Sequence, residues 1–128
     1  MMISFWCVFI AALLPYVFTI IAKSKKGYIT SYNKAPRIFL ESLTGFRQRA
    51  SWAAKNSFEC FPFFASSVII AYITKAIDIS LLNQLSITFI ILRIIYGIFY
   101  MTNLSSLRSL VWFLGIIDIA IILIASIT

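Results

Sequence analysis

Polar residues fall in narrow bands along this chain and leave four long apolar stretches between them. Residues 3–22 (ISFWCVFIAALLPYVFTIIA) carry no charge, and about 20 such residues cross the hydrocarbon core of a bilayer. Residues 50–74 form a second stretch, interrupted by Lys55, Asn56 and Glu59. Residues 80–101 form a third, with Arg93 inside it, and residues 107–127 a fourth, containing Asp118. Lipid admits only helices or closed barrels, because every backbone polar group must be satisfied within the protein. The runs lack the alternation of barrel strands. The pattern predicts one all-α domain over residues 1–128 with four transmembrane helices. Pro15 is expected to kink the first of them, since a mid-helix proline removes a backbone bond. That first stretch does not read as a cleaved signal peptide: no basic region precedes it, it is too long, and Lys23 follows it.

Composition agrees. Of 128 residues, 62% are hydrophobic and 12% charged, against about 45–50% and about 25% in soluble domains. A chain of this size cannot bury that much apolar surface alone, which excludes a soluble monomer, a disordered tail and a fibrous repeat. The net charge is +7, from 11 Lys and Arg against 4 Asp and Glu, with no His. Lacking His, the chain has no His-based acid–base catalysis and no His-ligated metal. Cys7 and Cys60 lie in separate apolar stretches without metal or redox spacing and read as inert hydrophobes.

The charges give orientation. Residues 23–49 hold Lys23, Lys25, Lys26, Lys34, Arg37, Arg47 and Arg49; residues 75–79 hold Lys75 and Asp78; Arg108 follows the short third loop. The positive-inside rule places the first and third loops in the cytoplasm and both termini outside. Topology accounts for the basic loop, so no nucleic-acid partner is expected. Within it, Pro36 suits a first helical turn, and Phe39, Leu43 and Phe46 recur at helical spacing. Residues 36–46 therefore read either as a short amphipathic helix at the membrane surface or as an extended start of the second span, with Gly45 marking a bend.

Ionisable residues at membrane depth are expensive and mark functional sites unless they pair to hold the bundle together. Counting about 1.5 Å per residue, Asn56 and Glu59 lie roughly 9–14 Å in from the cytoplasmic end, Arg93 about 12 Å from its own end and Asp118 about 16 Å. Arg49, Asn56 and Glu59 share roughly 80° of one helix, and Arg93, Tyr96 and Tyr100 about 60° of another. Glu59 and Arg93 are the expected ion pair, with Asp118 as an alternative partner for Arg93 or for Lys55. Tyr96 is too deep for an interfacial anchor, whereas Tyr100 is not.

Other chemistries find no footing. Gly27, Gly45, Gly97 and Gly115 form no phosphate-binding motif, and Gly97 reads as a close-packing position. The pairs Ser66–Ser67 and Ser105–Ser106 have no base partner. A small multidrug exporter, also of four helices, depends on a first-span carboxylate that residues 3–22 lack.

The stretch RASWAAKNSFECFPFF, with Arg49, Ala50, Ala53, Asn56, Glu59, Pro62 and Phe64 in register, resembles the second-helix signature of the MAPEG family, the membrane-associated proteins in eicosanoid and glutathione metabolism. Arg93, Tyr96 and Tyr100, followed by Leu107-Arg108-Ser109, resemble its other signature. Asn33, Pro36 and Arg37 are like a feature of its small bacterial branch. The resemblance spans about residues 33–115. It implies a left-handed four-helix bundle, a homotrimer, and glutathione as co-substrate between subunits near the cytoplasmic side of a bacterial inner membrane. It implies that Arg49, Asn56, Glu59, Arg93, Tyr96 and Tyr100 bind glutathione and that Arg108 is catalytic, stabilising the thiolate. A free thiol ionises near about pH 8.5, and a guanidinium beside it favours the nucleophilic form. Two departures stand out. Trp52 occupies a position that is arginine in catalytic eukaryotic members, with Arg49 as its substitute, and the gap from Tyr100 to Arg108 is one residue longer than in the leukotriene-synthesising member.

The function implied is a glutathione-dependent transferase or peroxidase acting on lipophilic electrophiles or lipid hydroperoxides, with lipids and lipophilic small molecules as further partners. The alternative is a non-catalytic binding or scaffold protein on the same fold.

Overall fold

A computed structural model describes residues 2–24 and 33–128. Lys25, Lys26 and Gly27, counted above in the basic loop, lie outside the described residues. Among those described, the elements are α1 (Ile3–Lys23), α2 (Pro36–Glu41), α3 (Gly45–Thr74), α4 (Ile79–Met101) and α5 (Ser105–Ile127). All but α2 are long and apolar enough to cross a membrane. The expected second span began at residue 50; α3 begins at Gly45.

Each long helix buries one stripe and leaves the rest apolar and outward. In α1 the stripe is Ser4, Cys7, Ala11, Pro15, Phe18 and Ala22, mostly small side chains that let backbones approach closely, as packing within lipid favours. α3 and α4 are the central pair, and α1 and α5 flank them, each packing on both. The core is centred on Phe64 of α3 and Phe89 of α4, stacked with centroids 4.0 Å apart. Trp6, Phe9, Ile20, Phe63, Ile73, Phe113 and Ile124 stay exposed. In water such a surface would drive aggregation; against acyl chains it has no such cost.

Polar side chains satisfy the helix ends. The backbone N–H of Ser4 donates to Asn83 Oδ1 of α4 at 2.9 Å, tying down the start of α1. Asp78 caps α4 by accepting from the Ser80 N–H at 2.9 Å. Lys75 ends α3 in a left-handed conformation (φ 54°). α1 runs unbroken through Pro15, where the Thr19 hydroxyl donates to the Pro15 carbonyl at 2.9 Å.

The amphipathic helix expected over residues 36–46 is shorter. α2 stops at Glu41, and the Ser42 hydroxyl donates to Phe39 O at 2.6 Å. Leu43, 2% exposed, then drops into a cluster with Ala22, Phe39 and Ala50. Gly45 turns the chain into α3 at φ +68°, a conformation glycine adopts at little cost. Both sequence readings therefore hold in part: a short helix, a bend, and a helical extension of the second span through residues 45–49. Phe46 leaves the buried stripe and is exposed.

Gly97 has the close-packing role its position suggested. A Cβ placed there would fall on the Phe18 ring of α1. The missing side chain is the seat in which that ring rests.

Candidate functional site

The polar residues of α3, α4 and α5 gather at the end of the bundle where α3 begins, α4 ends and α5 begins. Two cavities open there. The larger, about 660 Å³, is walled by Arg108, Leu110, Trp112 and Phe113 of α5 together with Asn56, Tyr96 and Tyr100. The smaller, about 490 Å³, is walled by Trp52, Lys55 and Glu59 of α3 and by the same Asn56, Tyr96 and Tyr100. That shared trio stands between a compartment that sets Leu110, Trp112 and Phe113 beside Arg108 on the α5 side and one that holds Lys55 and Glu59 on the α3 side.

A ladder of cations and rings runs beside them. The Arg93 guanidinium lies over the Tyr96 ring, 4.1 Å from its centroid. Tyr96 meets Tyr100 edge to face at 5.6 Å, and the Arg108 guanidinium lies over Tyr100 at 4.4 Å. Trp52 also meets Tyr100, with ring centroids 6.3 Å apart and the planes tilted by 50°. A cation on an aromatic face is worth about 0.5–1 kcal/mol when exposed and about 2 when desolvated. Arg93, 4% exposed, is near the upper figure, and the half-buried Arg108 below it.

The expected ion pair does not form. Arg93 Nη2 donates to Asn56 Oδ1 at 2.8 Å and to Ser57 Oγ at 3.0 Å, while Glu59 is exposed along the smaller cavity. Helix geometry explains this. Arg93 meets α3 between Asn56 and Ser57, and Glu59 sits about 110° around the helix from that line at 100° per residue. Asp118 does not replace it: buried at 5% exposure, it leaves Oδ2 without a hydrogen-bond partner. Lys55 is exposed and lines the cavity instead.

Arg49 also departs from the group. Its Nε and Nη2 donate to the Met101 carbonyl at 3.1 and 3.0 Å, so it closes the C-terminus of α4, and it lines neither cavity. Asn56, Glu59, Tyr96, Tyr100 and Arg108 do come together, with Arg93 behind them. Sequence reasoning missed Ser57 as the second acceptor for Arg93, and Trp112 and Phe113 as the apolar wall. Trp112 stands one turn beyond Arg108 on α5, a signal that helical spacing could have supplied. Cys7 and Cys60 are free thiols and buried. Among the described residues no group of three or more His, Cys, Asp or Glu could hold a metal ion.

The profile of the MAPEG family matches residues 3–128, essentially the whole described chain. The chain belongs to the MAPEG family. This MAPEG chain is a multi-pass membrane protein by its four spans, which keep it in contact with lipid. Membership also places it within a family of glutathione-related membrane transferases, peroxidases and their kin. No curated protein and no solved structure matches it.

Proposed function

We propose that this MAPEG chain is a homotrimeric, glutathione-dependent transferase or peroxidase of a bacterial inner membrane, acting on lipophilic electrophiles or lipid hydroperoxides. The observation that carries the reading is the pair of unlike cavities meeting at Asn56, Tyr96 and Tyr100. Glutathione is a zwitterionic peptide, suited to a compartment that offers both Lys55 and Glu59. A lipophilic acceptor suits the wall of Leu110, Trp112 and Phe113. Arg108, seated on Tyr100, is the cation that lines the larger cavity beside the junction where sulfur would meet the acceptor.

The chemistry follows from that placement. Glutathione loses its thiol proton to water and the thiolate attacks the electrophile; a carbon–sulfur bond forms as the leaving group departs with its electron pair. With a hydroperoxide, two glutathiones are oxidised to the disulfide while the peroxide is reduced to alcohol and water. Arg108 lowers the energy of the thiolate by charge in a site of reduced dielectric. The orientation assigned above, with both termini outside and residues 23–49 cytoplasmic, opens the cavities toward the cytoplasm, where the thiol is. The cationic face raises the local concentration of the anionic peptide.

The test is turnover by purified protein with glutathione and either chlorodinitrobenzene or cumene hydroperoxide. Replacing Arg108 by alanine is expected to lower kcat by about 100-fold, the scale of deleting a charge-stabilising donor. Glutathione binding without turnover across several electrophiles and peroxides would instead assign the non-catalytic binding or scaffold role on the same fold. Absence of both binding and turnover would remove the glutathione reading.

A further inference from the structure

Arg93 is the most deeply placed charge beside the cavities, yet it lines neither of them. Its hydrogen bonds run to Asn56 and Ser57, while its face lies against the Tyr96 ring. A guanidinium carries only donors, so the Asn56 amide must turn its oxygen toward α4. The Cys60 thiol, one turn along α3, donates to that same oxygen at 3.7 Å. A planar amide held by its oxygen from two sides has its nitrogen facing away. The Asn56 nitrogen is not among the buried atoms without a partner, and Asn56 forms part of the wall of both cavities. Its N–H groups therefore open onto them.

We propose that Arg93 is a positioning residue that locks the Asn56 amide with its NH2 group in the cavities, so that the thiol ligand must present a hydrogen-bond acceptor there. On a peptide such as glutathione that acceptor is a carboxylate or an amide carbonyl. The proposal rests on the glutathione reading and replaces direct contact by Arg93 with action through Asn56. Ser57 accepts from the same Arg93 Nη2 and contributes no group to the cavities. Aspartate at position 56 keeps the shape of the side chain, pairs with Arg93 and offers the ligand no donor.

The test is calorimetric titration of the purified full-length protein with glutathione, together with KM and kcat. Asn56→Asp is expected to raise Kd about tenfold, the loss of roughly one hydrogen bond to a charged group. Arg93→Met should raise Kd and KM by a similar factor while kcat stays within about threefold. Arg93→Lys, which keeps a donor, should fall between Arg93→Met and wild type, and Ser57→Ala should bind as wild type does. In an Asn56→Ala background, Arg93→Met should add less than about twofold, because the route through Asn56 is already gone. Additive losses, or an unchanged Kd in Asn56→Asp, overturn the proposal. Asn56→Asp is nearly isosteric and decides the matter if Arg93→Met does not fold. A wild-type protein that binds no glutathione fails at the first titration, and the glutathione reading then falls together with this one.

Discussion

Replacing Arg49 by methionine deletes the pair of hydrogen bonds that closes α4 at the Met101 carbonyl. Methionine keeps most of the apolar stem, so the loss falls mainly on the guanidinium. A hydrogen bond involving a charged group contributes about 1.5–3 kcal/mol, and a cation at a helix C-terminus about 0.3–1 kcal/mol. Both bonds here share one acceptor, and Arg49 is only half-buried, so water can take over part of the role. The expected cost is about 1–2 kcal/mol, or roughly 4–8 °C of melting temperature for a chain of this size. Cys7 and Cys60 supply the assay. Both are free and buried, so a thiol-reactive fluorophore reports the melt in detergent as they become exposed. Glutathione affinity should change less than about threefold, since Arg49 lines neither cavity. An unchanged melt with a tenfold loss of glutathione binding would refute the capping role and make Arg49 a ligand contact, as the family resemblance implies.

Two further outcomes are expected. Gly97→Ala displaces the Phe18 ring and should cost about 1–3 kcal/mol, the range for overpacking; adding Phe18→Leu should recover part of it in the same melt, and independent effects would refute the close contact. Tyr100→Phe keeps the ring beneath Arg108 and should leave turnover within about twofold, whereas Tyr100→Leu removes it and should lower kcat about fivefold; equal losses in both variants would point to the hydroxyl instead.

Most of the architecture was legible because lipid leaves the backbone so few options. An uncharged run as long as residues 3–22 has to be a helix, and α1 covers Ile3–Lys23. The loop before α3 was harder: whether Leu43 ends a helix or plugs a core depends on Ala22 and Ala50, which lie far from it in sequence. Asn56, Glu59, Tyr96 and Tyr100 could be assembled from depth and helical phase, and Arg108 only through the family resemblance. The partners of Arg49 and Arg93 could not. Pairing opposite charges is the natural guess from sequence, yet both arginines bond to neutral acceptors, one to a carbonyl and one to an amide and a hydroxyl. Buried arginine needs acceptors of the right geometry, and a carboxylate on the wrong azimuth is no partner. Phe113, without the one-turn spacing that links Trp112 to Arg108, was hidden for another reason. In a span apolar on every side, an aromatic facing a cavity reads the same as one facing lipid.

The ring of Phe18 resting over Gly97 also bears on how deep α1 can sit. A span with a uniformly greasy exterior has little to stop it sliding by a turn, about 5.4 Å, and bilayers of differing thickness would reward such drift. One turn from Gly97 along α4 stand Arg93 and Met101, so a slip either way drives the ring into a long side chain. The notch works as a bolt: it holds α1 at a single height and thereby sets where Lys23 emerges and from what point the basic loop is strung.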